Sequence, residues 1–278
     1  MLLSFLENFS FSFARLAMAA VILISATCGL LSPVVVLKER SYLSDTMSHL
    51  VFPGIIIGLL ISYAYALPLW LCVFIGALVT ALIGSYLSEW FLKVLKIPSD
   101  SAAIISLTAF FAFGMTLISH ESRVRISPED LLFGDALTLK TMDLYILAIV
   151  FVFVFLSIFY YKKHWNAWLS DSEFAKISGY KVGLLDRLFP LLITSTVLSG
   201  IFAVGGLMIS ALITLPAIIC QPKSVVSLPV FFVSILLGLL GIILSFTFNF
   251  PVGPSIVLVG FITVLLKAIL VKCKIVKS

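Results

Sequence analysis

Asp45 and His49 stand four residues apart in the stretch Ser44-Asp45-Thr46-Met47-Ser48-His49-Leu50-Val51-Phe52-Pro53-Gly54. Positions i and i+4 share one face of a helix, so a carboxylate and an imidazole there can reach the same small cation. The stretch opens a long apolar segment of a chain that otherwise keeps ionisable groups out of such segments. An acid at the centre of a bilayer costs roughly 2.5–3.5 kcal/mol on insertion scales, so intramembrane acids usually have a task. Two donors at this spacing supply half of a tetrahedral metal shell. The spans hold no second such pair, so a symmetric dimer would be needed to assemble two carboxylates and two imidazoles around a central path. The competing reading is structural: Ser44 or Asp45 caps the helix and His49 is hydrogen-bonded within a bundle. Spacing alone does not separate the two.

Composition sets the elements that must position this pair. The chain has 278 residues, of which 62% are hydrophobic and 11% charged, far from the ordinary soluble range. A helical span needs roughly 20 apolar residues, and several segments reach that length. The fold class is therefore an all-α integral membrane protein, a polytopic bundle of eight or nine transmembrane helices in the lipid bilayer. It forms one integral membrane domain over residues 1–278, without a soluble domain. Hydropathy places spans near 13–37, 45–67, 69–92, 100–119, 141–161, 187–203, 205–221, 225–247 and 254–271. Gly200, Gly205 and Gly206 interrupt one long apolar run, so 187–221 is either two spans or a span plus a half-helix.

Lys38, Arg40, Lys93, Lys96, Lys162, Lys163, Lys176, Lys181, Arg187, Lys223 and the tail Lys272, Lys274 and Lys277 fall on one side of a nine-span scheme. The positive-inside rule makes that side cytoplasmic, with the N-terminus outside and the C-terminus inside. Segment 120–140 strains the scheme, since Arg123, Arg125 and Lys140 would lie outside. Its run Leu131–Leu137 reads as an interfacial or re-entrant helix. Residues Met1–Ser12 lack the basic start and small-residue site of a cleavable signal. The net charge of +5 reflects topology and not nucleic-acid binding. Cys28, Cys72, Cys220 and Cys273 are scattered, so neither a disulfide framework nor a thiolate metal site is expected.

Pro53 and Gly54 follow the pair within the same span. Proline frees a carbonyl and kinks a helix, and broken helices at membrane depth tend to line transport paths. Ser48, Pro53 and Gly54 are therefore the expected pathway and kink residues. Gly54 and Gly58 form a G-x-x-x-G, for which close helix packing is the simpler explanation. A second motif lies in the polar loop at about 162–186. Asp171 or Ser172 can cap a short helix, Glu173 suits its positive end and Gly179 can end it. Phe174 and Ile177 would share a face, as suits docking in a partner's groove; packing on its own bundle is the alternative. His120 and His164 read as ordinary loop residues at opposite ends of the bundle. No H-E-x-x-H and no G-x-x-x-x-G-K-[ST] is present, so neither a zinc-protease motif nor a P-loop is available. No catalytic residue is assigned.

Three blocks of this chain resemble the membrane (permease) subunit of bacterial ABC-type importers for zinc, manganese and iron, of the zinc-uptake permease type. Asp45-Thr46-Met47-Ser48-His49-Leu50-Val51-Phe52-Pro53-Gly54 is similar to the family's "D-x-x-S-H-x-x-x-P-G". Asp171-Ser172-Glu173-Phe174-Ala175-Lys176-Ile177-Ser178-Gly179 is similar to its "D-x-E-F-A-x-x-x-G" loop. Val204-Gly205-Gly206-Leu207-Met208-Ile209-Ser210-Ala211-Leu212 through Leu215-Pro216-Ala217, then Pro251-Val252-Gly253-Pro254-Ser255, complete the order. Leu50 replaces the usual small residue after the motif histidine, and Ile177-Ser178-Gly179 replaces an Ala-Leu-Gly ending. Neither change touches a donor atom.

The resemblance implies a homodimeric permease of the bacterial inner membrane, two separate ATP-binding subunits and an extracytoplasmic metal-binding protein. It implies that Asp45 and His49 are in-pathway metal ligands. It also implies that Asp171, Glu173, Phe174, Ala175 and Gly179 belong to the segment seated in the ATPase. The chain itself would be no enzyme and would hold no permanent cofactor, only a transported divalent metal. Two imidazoles with two carboxylates suit zinc, and manganese accepts the same donors with more oxygen. Zinc is the first expectation, with manganese or iron as alternatives. A gradient-driven metal carrier would use the same pair but needs no docking helix. An intramembrane enzyme would need a nucleophile–base set that the sequence does not offer.

Overall fold

The computed structural model describes residues 12–120, 134 and 139–275. The segment expected to be interfacial, Leu131–Leu137, lies outside the described residues apart from Gly134, as does Met1–Phe11. Among the described residues the chain is helical without strands. Its helices are α1 (Ser12–Leu37), α2 (Tyr42–Leu50), α3 (Phe52–Tyr65), α4 (Leu69–Leu95), α5 (Ser99–His120) and α6 (Thr141–Tyr160). They continue with α7 (Lys162–Ser170), α8 (Ser172–Ile177), α9 (Val182–Val204), α10 (Gly206–Cys220), α11 (Leu228–Phe248) and α12 (Val252–Ile275). Prolines that cannot continue a helix open several of them: Pro68 caps α4, and Pro229 sits in the first turn of α11. Left-handed residues close α3, α4, α10 and α11, at Ala66, Lys96, Gln221 and Asn249.

Among the described residues eight stretches are long and apolar enough to cross a membrane, counting α2 and α3 as one span over Tyr42–Tyr65. They divide into a core and a ring. The most apolar part of α1 is 78% buried and that of α9 72%, whereas that of α12 is 17% buried and that of α5 22%. Helix α1 accordingly packs against α6, α9, α10 and α11. The ring turns large apolar side chains outward, as along Leu71, Ile75, Val79 and Ile83 of α4. That spacing makes a lipid-facing stripe. Helices α3 and α4 form the most extensive pair. A Cβ on Gly54 would strike the carbonyl of Gly76 and the hydroxyl of Thr80, and one on Gly58 would strike the backbone of Cys72. The two glycines thus let the backbones touch.

The ambiguous run 187–221 resolves into two helices. Helix α9 begins earlier than expected, at Val182, and ends at Gly205, whose φ of 92° favours glycine. The fifteen residues of α10 fall short of a full span. Its ends are met by protein instead. Gly134 lies against Val204 and Gly205 at one end. At the other, Lys267 Nζ donates to the carbonyls of Ile218 and Ile219 at 3.1 and 2.8 Å, which the helix end would otherwise leave unpaired.

Long-range contacts sort the helix ends. Lys38 reaches Trp168 and Ser172, Trp168 reaches Asp186, and the Val225 N–H donates to Asn166 Oδ1 at 3.0 Å. Arg40, Glu89, Ser99 and Asp186 line a small cavity at this same end. Helix α10 therefore returns the chain to the end where α1 finishes, and α12 finishes there too, with Lys267 beside the close of α10. The start of α1 lies at the opposite end. His164 differs from expectation: it stands on α7, its ring between Tyr161 and Tyr180 at 5.7 and 5.5 Å. His120 closes α5 and is not in a loop.

Candidate metal site

Helix α2 exists because Tyr42–Leu50 carries only residues that a helix tolerates, and its polar hydroxyls are spent on its own backbone. Ser44 Oγ donates to the Ser41 carbonyl at 2.9 Å, Thr46 Oγ1 to Tyr42 at 2.9 Å and Ser48 Oγ to Asp45 at 2.7 Å. That arrangement lets Ser44, Thr46 and Ser48 be buried without cost in unpaired groups. Met47 faces α9, where the Thr194 hydroxyl meets its sulfur at 3.3 Å. Asp45 and His49 are left on the remaining face. Neither Ser44 nor Asp45 is the cap; that position falls to Ser41, without a side-chain cap bond.

His49 Nε2 and Asp45 Oδ1 stand 4.0 Å apart, with the histidine side chain 14% exposed and the aspartate 47%. The separation is too long for a hydrogen bond. With metal–donor bonds of about 2.0–2.2 Å, such donors sit slightly wide of a tetrahedral edge. A small rotation of the half-exposed Asp45 closes the grip. The other imidazole nitrogen, Nδ1, is buried with no hydrogen-bond partner among the described residues. The ring is held by Phe111 of α5, edge-on at 5.2 Å, and Phe111 in turn lies on Phe52 at 5.2 Å. Phe111 is a site residue that sequence reasoning missed, because nothing in the run Phe110-Phe111 marks it. Among the described residues no three His, Cys, Asp or Glu side chains gather, so the described residues of one copy offer two donors at this place.

The break after His49 falls at Val51, and Pro53 lies in the first turn of α3. Proline has no N–H to offer the carbonyl four residues back, which is that of His49 itself. The axis still runs on: the Val51 N–H donates to Met47 and the Ile55 N–H to Val51 at 3.2 and 3.0 Å. Gly54 is consumed by the contact with Gly76, and Ser48 lies against Gly206 of α10. The structure thus groups Asp45, His49, Ser48 and Pro53 around one break, while the hydroxyl of Ser48 is already committed.

The second motif forms as its residue types dictate. Asp171 caps α8, its Oδ1 accepting from the Glu173 and Phe174 N–H groups at 2.9 and 3.0 Å. Gly179 leaves the helix at φ 82°. Ala175 is wholly buried, whereas Phe174 and Ile177 are 67% and 86% exposed. Glu173 is exposed beside them. An apolar knob on a polar segment results, at the end of the bundle where Lys38 and Asp186 both meet Trp168.

The model of the ABC 3 transport family matches residues 10–272. A probable metal transport system membrane protein of Thermotoga maritima is 29% identical over 95% of this chain and 92% of its own. The manganese transport system membrane protein MntC of Halalkalibacterium halodurans is 26% identical over 90% and 85%. The zinc transport system membrane protein TroC of Treponema pallidum is 28% identical over 68% and 64%. Among solved structures, PsaBC from Streptococcus pneumoniae in complex with Fab superimposes with a TM-score of 0.82, at 26% identity over 96% of this chain and 95% of that one.

Proposed function

The chain belongs to the ABC 3 transport family, and on that premise we propose that it is the membrane-spanning permease subunit of an ATP-driven importer of a divalent transition metal. It is a transport subunit and not itself an enzyme. The observation that carries the reading is the Asp45–His49 pair, two donors 4.0 Å apart at a helix break. Two copies of the chain bring four donors to a shared path. The carboxylates offset the charge of the ion, and the imidazoles replace part of its water. The grip stays incomplete in each copy, which suits a site that must also release its cargo.

Two ATP-binding subunits dock on α8 through Phe174 and its neighbours, and an extracytoplasmic metal-binding protein delivers cargo from the other side. The end of the bundle holding Lys38, Arg40, Lys162, Lys163 and Lys223 is cytoplasmic by the positive-inside rule. The start of α1 then faces out, in the bacterial inner membrane. Zinc is the cargo we favour, since two nitrogen and two oxygen donors match its tetrahedral preference. Manganese is the second reading, favoured by the relative named for manganese transport.

The test is metal uptake by the complex reconstituted in vesicles, with ATP inside and zinc, manganese or iron supplied outside with the binding protein. ATP-dependent accumulation of one of these ions is expected, zinc first. Accumulation without ATP, driven by a proton gradient, would overturn the importer reading.

A further inference from the structure

We propose that Lys38 is the positioning residue that ties docking helix α8 to the metal-bearing helix α2, so that displacement of one is passed to the other. The inference rests on the reading of α8 as the segment seated in the ATPase. The Lys38 ammonium donates to the Trp168 carbonyl and to Ser172 Oγ, each at 3.1 Å, and lies 4.1 Å over the Trp168 ring. Trp168 belongs to the last turn of α7 and Ser172 opens α8. One cation therefore holds the joint between them. Charge-assisted bonds are roughly twice as strong as neutral ones, and the aromatic face adds to the hold.

The platform under this cation is rigid. Trp168 is fully buried, donates Nε1–H to Asp186 Oδ1 at 2.9 Å, and packs against Trp165 and Phe189. Burial and the neighbouring Arg40 push the Lys38 amine below its ordinary range, while Asp186 and Asp171 pull it back up.

On its other side Lys38 is joined to the metal pair by very little chain. It directly follows α1, and residues 38–41 alone separate α1 from α2. That turn is stiff: Glu39 is left-handed at φ 57°, and the Arg40 N–H donates to the Val35 carbonyl at 3.1 Å. Asp45 lies in the first turn of the helix that follows. Helix α8 is otherwise lightly held, resting on α7 and α9 with only Ala175 buried. A shift of α8 accordingly pulls on Lys38, and Lys38 pulls on α2.

The experiment uses the full complex of permease, ATPase and binding protein in vesicles, reading metal moved per ATP hydrolysed. Lys38→Met keeps the aliphatic stem over Trp168 and removes the charge. Its complex is expected to co-purify with the ATPase and to hydrolyse ATP near the wild-type rate, with metal per ATP reduced about tenfold or more. Lys38→Arg, which keeps cation and donors, is expected to recover most of the ratio. Wild-type coupling in Lys38→Met overturns the proposal. So does an equal fall of uptake and hydrolysis together with a lower melting midpoint, which marks a static clamp. If Lys38→Met does not assemble, Ser172→Ala decides, because it removes one of the two bonds: a fall in the ratio supports the tie and an unchanged ratio overturns it. A wild-type permease that never captures the ATPase overturns instead the docking reading beneath it.

Discussion

The His49 imidazole meets Phe111 edge-on, with ring centroids 5.2 Å apart and planes at 88°. That contact fixes the plane of the ring proposed as a ligand, whose inner nitrogen has no hydrogen bond among the described residues. Outer partners of a metal ligand are commonly worth 10–100-fold in affinity. Phe111→Ala is therefore expected to raise the half-saturating metal concentration for uptake by about tenfold, with the maximal rate little changed. Uptake measured against metal concentration checks it.

Asp45→Asn keeps the shape of the side chain and removes its charge, and His49→Ala removes the ring. Either should reduce uptake by more than the roughly 10–100-fold that follows loss of an outer partner. Both variants should still co-purify with the ATPase, because α8 is untouched. Uptake at the wild-type level would make the pair structural.

Phe174→Asp places a carboxylate on the exposed knob of α8. Aromatic anchors in interfaces are worth roughly 2 kcal/mol or more, so affinity for the ATPase should fall about 30-fold or further. A pull-down of the complex from membranes reads the result. The melting midpoint of the permease alone should not move, since Phe174 is mostly exposed.

Gly54→Ala sets a methyl against the Gly76 carbonyl. Backbone cannot retreat as a flexible side chain can, so a loss of about 1–3 kcal/mol is expected. Thermal unfolding in detergent should show a lower midpoint. An unchanged midpoint would mean that α3 and α4 part without cost.

Much of the architecture was legible because hydrocarbon demands long apolar runs, and loops between them keep the charges. The position of the pair on one helical face followed from its spacing, and of the two caps that residue type offered, Asp171 and Ser172, the structure uses Asp171. Three features were not legible. The contact of Lys38 with Trp168 joins positions 130 residues apart, and no local pattern encodes it. Phe111 depends on how α5 lies across α2. The length of α10 was ambiguous because three glycines offered a break, and only Gly205 carries the backbone angle that makes one.

The shortness of α10 bears on dehydration. Fifteen residues rise only about 22 Å, against roughly 30 Å of hydrocarbon, and the helix begins beside Ser48, level with the pair. Gly134 against Val204 and Gly205 puts protein, and not lipid, over the remaining depth at that end. An ion on the proposed path would therefore cross beside protein backbone over that depth, where the cost of losing its water is lower than in hydrocarbon.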